Sequence, residues 1–377
     1  MDKEAFQEAR AWCRLLRCGA GAAGLRRLAE LAGGARAALD APEAQWRQCG
    51  IRPGCRAAAL RTPEDPRDPA WLDAPGRRVL GWGDPGYPGL LAQAPSPPAA
   101  LFVEGRVGLL HRAQVAVVGT RRPSPSGRDH AGRFACALAR AGLVVTSGLA
   151  RGVDAAAHAA ALDAGAGTVA VTATGPDQCY PRANRSLWDR IRVEGVVATE
   201  HLPGTPPRPQ QFPSRNRIVA GLSLGTLVVE AAERSGALIS ARLAAEAGRE
   251  VFALPGALSN PMARGCHRLI RDGAALVESP GEVVEALLPV ARNMAQALHP
   301  VGDAPTPGDS GGDLFPAPAP ADALQRRLYE TLGHEPVDLD ELASRTGLTV
   351  PRLSSMLLLM ELQGLVGAVH GRYVRRP

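Results

Sequence analysis

Between residues 115 and 277 the chain repeats one pattern seven times: a short run of β-branched and apolar residues, then an Ala- and Leu-rich stretch of helical character. The runs are Val115–Val118, Leu143–Thr146, Thr168–Val171, Val196–Thr199, Thr226–Val229, Val251–Ala253 and Ala275–Val277. A strand built from such a run has no polar face, so it must be covered on both sides, and the intervening helices are the covers. The pattern predicts an α/β fold with a doubly wound, mainly parallel sheet, ending near residue 290.

The remaining segments flank this domain. Residues 1–75 read as a helical module, with Leu15, Leu16, Leu25, Leu28 and Leu31 interrupted by the Gly-Ala stretch Gly19–Gly24. Residues 76–290 are the α/β domain with an N-terminal extension. The Pro-rich stretch from Pro63 to Pro98 carries Trp71, Trp82 and Tyr87, which are too apolar to leave in water and are expected to pack on the next domain. Residues 291–320 are expected to be a flexible linker, because LHPVGDAPTPGDSGGDLFPAPAPAD has few large apolar groups to offset the entropy of ordering. In residues 321–377, Leu324, Leu328 and Leu332, then Leu339 and Leu342, then Leu353, Met356, Leu357 and Met360 recur at helical spacing ahead of Gly364, Gly371 and Tyr373. Three helices and a hairpin predict a winged-helix module.

The formal net charge of +6 has one location. Residues 105–290 hold 21 Arg against 15 Asp and Glu, whereas residues 1–104 carry 14 basic to 12 acidic groups and residues 321–377 balance at 7 to 7. A polyanion would therefore meet the central domain. The seven cysteines are scattered and form no CxxC pair of the kind that builds a zinc or redox motif, which suits free thiols in a reducing compartment. The first residues, MDKEAFQEAR, are charged where a signal peptide is apolar, and no stretch reaches the roughly eighteen apolar residues of a membrane span. A cytoplasmic protein without membrane contact is expected.

In open α/β sheets, ligands bind outside the carboxyl ends of the strands, where turns expose backbone N–H groups and helix N-termini favour anions. Five turns qualify: Gly119-Thr120-Arg121-Arg122, Ser147-Gly148-Leu149-Ala150-Arg151-Gly152, the segment from Tyr180 to Arg185, Phe212-Pro213-Ser214-Arg215-Asn216-Arg217, and Ser235-Gly236-Ala237. One Gly-rich turn says little, since any βα corner tolerates glycine. Five at one sheet edge, with converging arginines and no acidic metal cluster, suit a string of phosphates better than one compact cofactor. No catalytic residue, cofactor or metal is expected.

The runs VAVVGTRRPSPSG, SGLARGVDAAAH, CYPRANRSL, FPSRNRIVAGLSLGTLVVEAAERSGALISA, and GREVFALPG with GCHRLIRDGA resemble the DNA-processing protein A (DprA/Smf) family in order and spacing over about residues 80–287. The resemblance implies a Rossmann-like domain that forms homodimers and binds single-stranded DNA. It further implies protection of that strand from nucleases and loading of the RecA recombinase during natural transformation, with no enzymatic activity. By motif, it implies DNA contact by Gly119, Thr120 and Arg121, backbone donation from Ser147 and Gly148, and DNA-binding roles for Phe212, Arg215, Asn216 and Arg217. Arg151, Ser235 and Gly236 join them from the adjoining turns.

Individual residues carry further expectations. Arg215 and Arg217 are two apart before a helix and cannot both face one way, so Arg215 is expected on DNA and Arg217 against Glu230 or Asp154. Phe212 either stacks on a base or plugs the core. Tyr180 either packs over the strand ends or touches DNA, with packing favoured; His158 is expected to be a packed or capping residue, and Asp154 and Glu230 to orient arginines. Ala173 stands where the family usually has a second glycine, which puts backbone approach to a phosphate at that corner in question. The candidate recognition helix from Pro351 to Gln363 bears only Arg352 as a cation, which favours protein contacts over duplex reading.

Three other classes compete. A nucleotide-binding Rossmann-like enzyme of the phosphoribohydrolase type needs a PGGxGTxxE run, and GLSLGTLVVEA lacks its Gly-Gly turn. A dinucleotide oxidoreductase needs GxGxxG after the first strand, where GTRRPSPSG stands. A transcriptional regulator rests on the winged helix alone.

Overall fold

The computed structural model describes residues 3–298 continuously and, beyond them, 328, 331–332, 337–346, 348, 353, 356–357, 360, 366–369 and 372–375. One sheet contains β1 (Arg77–Gly81), β2 (Ala100–Gly105), β3 (Gln114–Val118), β4 (Val144–Ser147), β5 (Thr168–Val171), β6 (Val196–Thr199), β7 (Gly225–Val228), β8 (Glu250–Ala253) and β9 (Ala275–Leu276). Their order is β1-β2-β6-β5-β4-β3-β7-β8-β9, with β3 to β9 mutually parallel. These seven are the runs that the hydrophobic pattern picks out. Strands β3 to β7 are buried along their whole length, as strands between two helical layers must be. The chain winds outward from β3 to β6, then returns to β3's other side with β7. The strand order therefore reverses beside β3, which is where ligands bind in such sheets.

Strands β1 and β2 are not among those the hydrophobic pattern predicts. They lie at the end of the Pro-rich extension and pair antiparallel to each other, and β2 pairs antiparallel to β6, with Phe102 opposite Thr199. The hydrophobicity of ALFVEG is spent on closing the β6 edge, and β2 is buried over most of its length.

Six helices precede the sheet: Lys3–Arg17, Ala22–Ala32, Ala35–Asp40, Glu43–Gln48, Cys55–Arg61 and Arg67–Leu72. Their core, built on Trp12, Leu15, Leu25, Leu28 and Trp46, continues through Trp71 into Val79, Ala100 and Phe102 of the sheet extension. Trp71 meets Phe102 edge to face, with ring centroids 5.7 Å apart. The expected boundary at residue 75 is thus no break in packing, and residues 1–305 form one compact unit. Trp82 and Tyr87 pack against each other and against the core, as large apolar rings should. All seven cysteines are unpaired.

Helix Pro280–Leu298 continues past residue 291, the position at which the composition places the start of a linker. The rest of that expected linker, residues 299–320, lies outside the described residues. Residues 306–377 form a second unit. Within it, helix Leu339–Thr346 and the antiparallel pair β10 (Val366–Val369) and β11 (Arg372–Arg375) surround a core that includes Leu328, Leu342, Leu353 and Leu357. Val337 bridges to Tyr373 beside the hairpin, completing the wing of a winged-helix domain.

Candidate nucleic-acid interface

The turn after β3 is held from behind by a buried carboxylate. Glu230 accepts from the Ser124 N–H (2.9 Å), the Ser124 hydroxyl (2.6 Å) and the Asn260 amide (3.1 Å), and its backbone carbonyl accepts the Thr120 N–H (2.7 Å). Ser124 also caps helix Pro125–Arg140. Glu230 therefore anchors backbone, and the arginine-orienting role that the sequence suggests for it is not the one the fold gives it. With the turn fixed, Arg121 and Arg122 project into solvent.

Asp154 does the same for the turn after β4. Its Oδ2 accepts the N–H groups of Gly148 (3.1 Å) and Ala150 (3.2 Å), while the Ser147 hydroxyl donates to the Val117 carbonyl (2.6 Å). Burial pushes the Asp154 carboxyl above the usual carboxylate range, opposed by the nearby Arg215 charge and these hydrogen bonds. A buried carboxylate must be hydrogen-bonded, so the Gly148 N–H expected to serve a phosphate is consumed inside the protein. Arg151, at the end of the turn, is exposed.

Arg215 lies beneath this turn. It is only 5% exposed, and its Nη1 donates to the Val171 carbonyl at the end of β5. A side chain at position 148 would drive its Cβ into that guanidinium, which is why glycine stands there. Burial lowers the Arg215 pKa to about 10, with Asp154 pulling the other way, so the guanidinium stays cationic at neutral pH. Its Nε is buried without a partner among the described residues. Arg217, expected against Glu230 or Asp154, instead pairs with Glu200. Two residues turn a helix through about 200°, which sends the second arginine to the far side.

His158 packs as expected. It is fully buried with Nδ1 2.8 Å from the Thr168 hydroxyl, and burial, with the Arg215 charge, lowers its pKa to about 3. Ala173 is buried, and the Thr174 hydroxyl donates to the Gln178 carbonyl, so that corner is closed by its own bonds.

Two adjoining cavities open along this edge. The inner one, of about 260 Å³, lies between the β3 turn, Arg215 and the start of helix Gly236–Glu246. The outer one, of about 710 Å³, is bordered by Arg121, Arg122, Arg151 and Arg182. None of these four exposed arginines forms an ion pair among the described residues. The Arg121 guanidinium sits 5.6 Å over the Phe212 ring, and Phe212 meets Tyr180 with centroids 5.3 Å apart at 52°. Phe212 is thus half-buried between protein neighbours, neither a core plug nor a bare ring. The Asn184 amide donates to the carbonyls of Leu149 (3.0 Å) and Ala150 (3.3 Å), tying the Tyr180 turn to the turn after β4. Such a groove can hold a flexible polyanion by side-chain charge.

The sequence profile of DNA recombination-mediator protein A matches residues 78–288, and that of the DprA winged helix domain matches residues 314–372. The chain belongs to the DNA recombination-mediator protein A family. It is 41% identical over 308 residues to Protein Smf of Escherichia coli, an alignment covering 81% of this chain and 79% of that protein. DNA processing protein A from Streptococcus pneumoniae superposes with a TM-score of 0.67 at 35% identity, covering 73% of this chain and 96% of that one. DNA processing protein A from Helicobacter pylori, whose structure describes a single-stranded DNA binding mode, superposes with a TM-score of 0.51 at 31% identity, covering 54% and 94%.

In this chain the fold gathers most of the residues singled out by motif. Gly119, Thr120, Arg121, Gly148, Phe212, Arg215, Asn216, Ser235 and Gly236 line the inner cavity, and Arg151 the outer one. Ser147 and Arg217 line neither, because one hydroxyl is turned into the sheet and the other side chain leaves on the opposite helix face. Arg122 and Arg182 border the groove although the motifs give them no binding role, and Tyr180, for which the sequence favours packing over DNA contact, borders it too; the CYPRAN run was the available signal for the last two. Among the described residues no helix is long and apolar enough to cross a membrane, and no group of three or more His, Cys, Asp or Glu is placed to hold a metal ion.

Proposed function

We propose that this protein binds single-stranded DNA in the groove at the carboxyl ends of β3, β4 and β7. The observation that carries the reading is the set of exposed arginines without counter-charges around one groove. Arg121 and Arg151, with Arg122 and Arg182 beside them, hold phosphates, and the buried Arg215 supplies a fixed charge from the floor. The small residues Gly119, Thr120, Gly148, Ser235 and Gly236 and the Asn216 side chain let the backbone of the strand come close. No bond is made or broken.

Family membership and the single-strand binding of the Helicobacter pylori relative support a role in shielding incoming DNA and passing it to a RecA recombinase during natural transformation, in the cytoplasm. A homodimer would present two grooves to one strand and raise its effective concentration. Leu258 (88% exposed) and Leu276 (46% exposed), the latter on the edge strand β9, support such an interface on the other side of the sheet from β6.

The test is a titration with labelled single-stranded and duplex oligonucleotides at two salt concentrations, with an Arg121→Ala/Arg151→Ala variant alongside. Strand-selective binding is expected, with a salt slope that falls by about 0.7 for each phosphate that the variant no longer neutralises. Equal affinity for duplex, or an unchanged slope in the variant, would overturn the assignment.

A further inference from the structure

We infer that Tyr180 is the base platform of this groove: its exposed ring takes a nucleobase of the strand whose phosphates the arginines hold. The inference rests on the single-strand reading above and assigns a specific role, base stacking, to a residue for which the sequence favours packing over DNA contact.

Among the described residues, the exposed large apolar side chains are Leu31, Leu60, Tyr180, Val193, Leu258, Leu276 and Val290, and Tyr180 is the one aromatic among them. It is 42% exposed and stands on the wall of the outer cavity, with Arg182 two residues on and Arg151 on the facing turn. Tyr87 illustrates a structural tyrosine in the same chain: 7% exposed, its hydroxyl donates to the Pro98 carbonyl at 2.8 Å. The Tyr180 hydroxyl has no such bond among the described residues, so packing on Phe212 accounts for one side of the ring and leaves its hydroxyl end unexplained.

The ring is nevertheless braced. Phe212 supports it at 5.3 Å and is itself covered by Arg121, while Asn184 pins the turn that carries it to the Leu149 and Ala150 carbonyls. An aromatic ring braced by a neighbour yet 42% exposed, next to uncompensated cations, has the form of a stacking site for a base attached to a phosphate chain. Every base has a π face, so such a platform tolerates any sequence but requires that a base be present. Phe212 cannot serve equally, because its neighbours already occupy it.

The experiment compares oligo-dT with an abasic phosphodiester strand of the same length, on the full chain and on the Tyr180→Ala, Tyr180→Phe and Arg121→Ala variants. The unmodified protein and Tyr180→Phe are expected to bind the base-bearing strand about ten-fold more tightly, within the range of one base–aromatic stack. Tyr180→Ala is expected to bind both strands alike, at the abasic level. Arg121→Ala is expected to weaken both in parallel. If Tyr180→Ala keeps the full preference, the platform is elsewhere and the inference falls while the groove reading stands. If neither strand binds the unmodified protein, the groove reading itself has failed. A 2-aminopurine strand reads the same contact by fluorescence: quenching on binding to the unmodified protein that is lost in Tyr180→Ala is expected, and quenching that persists in Tyr180→Ala overturns the platform.

Discussion

The arginines of the N-terminal helices and those of the groove rim are the same side chain put to opposite uses. Arg10 pairs with Glu64, and Arg17 forks onto Asp68 through bonds of 2.9 and 2.6 Å. At the sheet extension Arg77 and Arg192 share Glu104. Around the groove, Arg121, Arg122, Arg151 and Arg182 have no carboxylate among the described residues. Arg10, Arg17, Arg77 and Arg192 are thus neutralised inside the fold, whereas the four rim cations are left to solvent around one groove, where their charge is available to a polyanion. The groove itself repeats the contrast: its rim is exposed, while its floor, Arg215 with Asp154, is buried, and the buried His158 lies near enough to feel the Arg215 charge.

If that division is right, floor and rim should fail in different ways. The largest effect is expected from Arg215→Ala, which strips the Val171 carbonyl of its donor and leaves the Asp154 carboxylate buried without a neighbouring cation. A drop of about 3 kcal/mol in urea unfolding is expected, in line with removing one partner of a buried charge cluster. A variant that folds with full stability and is impaired only in DNA affinity would move Arg215 from floor to rim.

His158 tests the floor through pH. Its folded pKa of about 3 lies below the unfolded value, so on acidification the unfolded chain takes up the proton first. Its contribution to stability is therefore intact above about pH 6.5 and is lost as the pH falls, by up to about 1.4 kcal/mol per pH unit. At pH 5, roughly 2 kcal/mol should be gone relative to neutral pH, and His158→Gln should flatten that acid slope. Identical slopes for the two proteins would mean that the imidazole is not held neutral.

The smallest effects come from a matched pair. Arg17→Ala should lower stability by about 1 to 2 kcal/mol, because Asp68 is nearly inaccessible and is left without its partner, and should leave DNA binding alone. Arg121→Ala should leave the unfolding curve in place and weaken single-strand binding by up to about ten-fold, uniformly across sequences. An exchange of these two phenotypes would erase the distinction between paired and uncompensated arginines.

Much of this was legible from the chain. The seven parallel strands follow from unbroken apolar runs between helices, and the five turns at their carboxyl ends follow from the order of strands and motifs. Strands β1 and β2 were not legible, because they sit among prolines and take strand form by covering the β6 edge. The exposure of Tyr180 and the partner of Arg217 were hidden for a related reason. The first owes its exposure to a turn pinned by Asn184, and the second meets Glu200, 17 residues earlier in the chain, across a helix face that no local motif specifies.

The sequence by itself determined the doubly wound sheet, the winged-helix unit, the basic central domain and the family, since each depends on local periodicity, composition or motif order. Only the tertiary structure decided which arginines carry charge to solvent and which are buried, and which backbone donors remain free. Those properties depend on interactions between segments far apart in the chain: Arg215 to Val171 across 44 positions, Glu230 to Ser124 across 106. Burial of a charge is a property of everything packed around it, and the identity of the residue does not contain it.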